Sequence, residues 1–126
     1  MAKVTLGAAP KNFKRTVAFL TVEGAAGEIE AVFKYRTRKE FAEFVDKIYA
    51  DANEKPPADG KFSVVDLMAR GTAKVGEHLV GILESWDLAD ELTPANAERL
   101  ADEFPGAAAA LLEDYRTLCT EGRAKN

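Results

Sequence analysis

Pro94 and Pro105 constrain this chain more than any other pair of residues. Proline fixes its own φ and has no N–H to donate, so it suits the first turn of a helix and breaks an interior. Thr93, just before Pro94, is a good N-cap. A helix is expected from there to Phe104, with Leu92, Ala97, Leu100, Ala101 and Phe104 on its apolar face. Pro105 ends that helix and starts another. Its stripe is Ala108, Leu111, Leu112, Tyr115, Leu118 and Cys119, and Gly122 stops it. Upstream stands the only tryptophan, Trp86, followed by Asp87. An apolar stripe leads to it through Val65, Met68, Val75, Leu79 and Ile82, with Thr72 filling the long gap. That spacing predicts a helix capped by Ser63 and reaching Trp86, with a break near Gly71. Gly71, Gly76 and Gly81 weaken it by roughly 1 kcal/mol each relative to alanine. Residues 75–83 are apolar enough for a strand, but the stripe favours helix. The expected picture is of converging helices with Trp86 plugging their junction.

The N-terminal third follows a different period. Residues 13–22 (FKRTVAFLTV) are rich in β-branched and aromatic side chains, and residues 23–27 (EGAAG) are turn material. Residues 28–36 then alternate, with Ile29, Ala31, Phe33 and Tyr35 on one face and Glu28, Glu30, Lys34 and Arg36 on the other. This is the pattern of a β-hairpin with one buried face. A lone hairpin is marginal in water, so helices must cover it. Thr37 and Glu40 have capping-box spacing and open a helix to about Asn53. Its stripe of Phe41, Phe44, Val45, Ile48 and Tyr49 is the natural cover for the hairpin. Pro56, Pro57 and Gly60 mark the following loop.

The expected fold is therefore α+β: an N-terminal β-hairpin packed on about four helices, with a mainly helical C-terminal half. One domain spans residues 1–126, with a loose arm (1–12), the hairpin (13–36), the helical part (37–121) and a frayed tail (122–126). The length suits one domain. With 47% hydrophobic and 30% charged residues, the chain can build a core. A net charge of −4 argues against general binding to nucleic acid or anionic membranes. No segment has the roughly 20 apolar residues of a membrane span, and the start has no apolar run suited to a secretory signal. The single cysteine excludes an internal disulfide and a cysteine-based zinc site. A cytoplasmic location fits.

Chemistry is sparse. His78 and Cys119 could form a Cys–His pair, but no nucleophile motif surrounds them, and ordinary packing accounts for both. Asp87, Asp90 and Glu91 resemble a hard-metal cluster in composition only. Their place before a helix N-terminus gives them an electrostatic role. Lys34, Arg36, Arg38 and Lys39 bracket Tyr35 and Thr37. They read as the charge that keeps an edge strand soluble, or as a patch for single-stranded nucleic acid. There is no phosphate loop, GxSxG or HExxH. No catalytic residue, metal or cofactor is expected.

One ordered set of residues remains. Trp86-Asp87 is followed by a four-residue linker, Leu92-Thr93, a short helix with Leu100, then Phe104-Pro105-Gly106-Ala107-Ala108 and Tyr115. This order resembles the C-terminal half of bacteriophage tail assembly chaperones from long-tailed siphophages and related prophages, over residues 77–121. Leu92 and Phe104 stand where an aromatic and a tyrosine are more usual. The resemblance implies a non-enzymatic protein of the host cytoplasm, absent from the mature virion. It implies binding to the tape measure protein and help for the tail tube protein to assemble around it. Many such chaperones are made in two lengths by ribosomal frameshifting. Lys125-Asn126 permit AAA-AAC, part of a slippery heptamer if the Ala124 codon ends in A.

A chaperone needs apolar surface that is covered reversibly. The candidate partner-binding residues are Trp86, Ala107, Ala110, Leu111, Leu112 and Tyr115. Their small and apolar side chains would admit a client helix, or another copy of the chain, unless they pack internally. Two other readings are a regulatory adaptor that binds nucleic acid or a host protein through the basic hairpin edge, and a small enzyme using His78 or Cys119.

Overall fold

The alternation in residues 28–36 is realised as the middle strand of a sheet. The structure, a computed structural model, describes residue 6, residues 11–51 and residues 75–121. Strand β1 (Asn12–Leu20) pairs antiparallel with β2 (Ala26–Lys34). Gly24, at φ 85°, allows the tight reversal between them, and Thr21 accepts the Ala25 N–H at 3.1 Å. Val17, Ile29, Ala31 and Phe33 are buried on the inner face. Helix α1 (Arg38–Asp51) begins at the capping box. The Glu40 N–H donates to Thr37 Oγ1 at 3.1 Å, and the Thr37 N–H donates to Glu40 Oε1 at 2.9 Å.

Helix α2 (Val75–Ile82) runs directly into a third strand, β3 (Leu83–Trp86). The sheet order is β1-β2-β3, all antiparallel. This corrects the expectation of one helix reaching Trp86. Past Ile82 the chain joins the sheet, and the last carbonyls of the helix, orphaned as at any helix end, find partners outside it. Lys34 Nζ donates to the Val80 carbonyl at 3.3 Å and Arg36 Nη1 to the Gly81 carbonyl at 2.9 Å. Cations at a helix C-terminus also oppose its dipole favourably. Phe33 pairs with Leu83 and Val32 with Ser85, so Glu84 is an extra residue that bulges the strand.

β2 is therefore a central strand, and the edge role read into its basic residues does not apply to it. Lys34 and Arg36 cap a helix instead. Tyr35, beyond the strand end, turns outward, while Arg36 turns inward.

Helix α3 (Pro94–Glu103) starts at the Thr93 cap, whose hydroxyl accepts the Asn96 N–H at 3.1 Å. Helix α4 (Pro105–Glu121) follows after one residue, Phe104. Its buried side, Ala107, Ala108, Leu111, Leu112 and Tyr115, packs along β1. Among the described residues the final helix, not the first, is the main cover of the hairpin. α1 packs on α4, with the Phe41 ring 5.8 Å from that of Tyr115. Each large side chain fully buried here contributes about 1.5–3 kcal/mol. Ser63, the Val65–Met68–Thr72 part of the stripe, Gly71, the Pro56-Pro57 loop, Gly122 and most of the arm lie outside the described residues.

Candidate interaction groove

The turn after Trp86 is held from two sides. The indole Nε1–H donates to the Asp90 carbonyl at 2.8 Å. Asp87 Oδ1 accepts the Glu30 N–H of β2 at 3.0 Å. Asn96 Nδ2 of α3 donates to the Glu91 carbonyl at 2.8 Å. The acids therefore do more than decorate a helix start: Asp87 ties the turn back to the sheet.

Trp86 is half-buried at the end of β3, facing a groove rather than plugging a helix junction. The groove holds about 240 Å³ between the end of the hairpin and α3. Its apolar lining is Phe19, Ile29, Trp86, Leu88, Leu100 and Phe104. Glu28, Asp90, Asn96, Arg99 and Glu103 supply the polar part of its wall. Phe104 caps α3, with its N–H donating to the Leu100 carbonyl at 2.7 Å, and its ring meets Phe19 edge-on at 6.4 Å. Phe104 stays 41% exposed, so its ring is open to solvent at the rim of the groove. Gly106 lets this corner approach β1, since a Cβ there would lie 2.9 Å from the Leu20 carbonyl. Leu20 and Val22 are exposed at the same end of the hairpin.

The charges around the groove are unbalanced. Arg99 lies 3.5 Å from Glu103 within its own helix and 3.5 Å from Asn96 Oδ1. Glu28 and Asp90 make no ion pair among the described residues.

The other candidate binding residues lie elsewhere. Ala107, Leu111, Leu112 and Tyr115 are buried in the core, and Ala110 is half-buried. A partner reaches the four buried ones only if α4 lifts from the sheet. Tyr115 is the most constrained. Its hydroxyl donates to the Lys34 carbonyl at 2.7 Å and accepts from Arg36. Burial pushes its pKa well above the ordinary phenol value, against the opposing pull of Arg36. Burial likewise raises the Cys119 thiol, which disfavours the thiolate that nucleophilic chemistry needs. Phe19, Glu28, Leu88, Arg99 and Phe104 did not stand out in the sequence as site residues. The signal available was Phe104 itself, a large apolar residue at a helix end just before Pro105.

Among the described residues no group of three or more His, Cys, Asp or Glu is placed to hold a metal ion. No helix among them is long and apolar enough to cross a membrane.

The family model described as phage tail assembly chaperone matches residues 1–126, the whole chain. The chain belongs to the phage tail assembly chaperone family. No curated protein and no solved structure matches it. A tail assembly chaperone has phage tail components as its partners, so a contact surface is the feature of interest. In this chaperone the groove beside Trp86 combines apolar side chains with access from solvent, which the buried face of α4 lacks.

Proposed function

We propose that this chaperone binds the tape measure protein and helps the tail tube protein assemble around it. The work is done in the host cytoplasm, by contact alone and without catalysis, and the chaperone leaves before the virion is finished. Membership of the family supplies the setting. The observation that carries the contact mechanism is the open apolar groove with Trp86 in its wall. Such a groove accepts the apolar face of a client helix and releases it again. Of the residues expected to bind, Trp86 makes contact. Ala107, Ala110, Leu111, Leu112 and Tyr115 hold α4 against the sheet and so keep the groove in shape.

Co-expression with the tape measure and tail tube proteins of the same phage tests this. The tape measure protein should become soluble and co-purify with the chaperone. Equal solubility without the chaperone, and no co-purification, would overturn the reading.

A further inference from the structure

We propose that the groove's occupant is a basic amphipathic helix of a tail protein, with an apolar side chain against Trp86 and lysine or arginine beside Glu28 and Asp90. The inference rests on the chaperone reading and adds the chemistry of the client segment.

Three features lead to it. The groove is walled by side chains, with Ile29 and Leu100 buried beneath Trp86, Phe19 and Phe104. An occupant there is offered apolar area from Phe19, Trp86 and Phe104. A helix satisfies its own N–H and C=O groups, so its apolar face can enter the groove without stranding them. The charge at the rim is also one-sided. Arg99 is engaged by Glu103 and Asn96, while among the described residues neither Glu28 nor Asp90 pairs with a cation. A client with positive flanks is attracted and one with negative flanks is repelled. Finally, a symmetric contact with a second copy would set this net-negative rim against itself, which the charges oppose.

Trp86 is the only tryptophan, so its fluorescence reports occupancy directly. The probes are two tryptophan-free helical peptides with the same leucine face, one flanked by lysine and one by glutamate. The full-length chaperone should bind the lysine peptide about fivefold more tightly, as two exposed ion pairs would give. The Trp86 emission should shift on binding. In E28K/D90K, checked for folding by circular dichroism, the preference should reverse. Equal binding of both peptides, an unshifted Trp86 emission, or an unchanged preference in the double variant would overturn the proposal. Co-expression separates this from the broader reading. If E28K/D90K retains the tape measure protein like the wild type, the groove assignment fails and the chaperone function stands. If the wild type selects the peptide but holds no tail protein, the peptide site stands and the function fails.

Discussion

The Arg36 guanidinium donates from one nitrogen to both the Tyr115 hydroxyl, at 3.0 Å, and the Gly81 carbonyl, at 2.9 Å. It also lies 4.0 Å over the Phe44 ring. One side chain thus joins the exit of β2 to α1, α2 and α4. Tyr115 passes the link on by donating to the Lys34 carbonyl.

Arg36→Met should destabilise the fold by about 2–4 kcal/mol, combining lost charged hydrogen bonds with a lost cation–π contact. Tyr115→Phe should cost about 1–2 kcal/mol. Urea denaturation of both single variants and the double variant should give a coupling of roughly 1 kcal/mol. Strict additivity would mean that the two groups do not act together.

Alkaline pH should act on the same contact. The buried phenol of Tyr115 holds its proton more tightly in the folded chain than in the unfolded one, mainly through desolvation. A raised folded-state pKa gives stability that is fully present below the unfolded value, about 10, and is lost as pH rises beyond it. Tyr115→Phe, though less stable at neutral pH, should lose stability less steeply above about pH 10. Parallel curves for variant and wild type across that range would contradict the assignment.

What could be read from the sequence was what depends on near neighbours. The Thr37–Glu40 box and the Thr93-Pro94 start are contacts across three residues or fewer, and both are realised. β3 was hidden because its partners, residues 31–33, lie about fifty positions earlier and its Trp86 also continues a helical stripe. The groove was hidden for the same reason, since Phe19 and Phe104 meet only in the folded chain. For α4 the apolar stripe was visible, but a stripe does not say whether its cover is internal. β1 supplies the cover for Leu111 and its neighbours.

The glycines of α2 should separate sharply on mutation. A Cβ at Gly76 would lie 2.5 Å from the Pro94 carbonyl and 2.7 Å from the Glu98 nitrogen, both backbone atoms. The Gly76 N–H also donates to Glu98 Oε2 at 2.6 Å. Gly76→Ala must push α2 away from α3, at a cost of about 1–3 kcal/mol. Among the described residues, a Cβ at Gly81 would meet only the Phe44 ring, at 3.1 Å. A small ring shift relieves that contact, and alanine's helix preference of about 1 kcal/mol offsets it. Thermal melts should show Gly81→Ala close to the wild type and Gly76→Ala clearly lower. The reverse order would place the α2–α3 contact elsewhere.

Cys119 gives a test of whether any thiol chemistry is available. The residue is half-buried on α4 and packs against the core beside Tyr115. Burial raises its pKa, and hydrogen bonding to Tyr115 and to the Arg36 backbone only partly opposes this. Attack on a maleimide requires the thiolate, so the folded chaperone at neutral pH should react at least about tenfold more slowly than the urea-unfolded chain. The Arg36→Met variant should react faster than the wild type, because loosening α4 exposes the thiol. Equal rates would contradict the burial of the thiol, and a folded protein that reacts faster than the unfolded chain would show an activated thiolate and bring nucleophilic chemistry back as a function for Cys119.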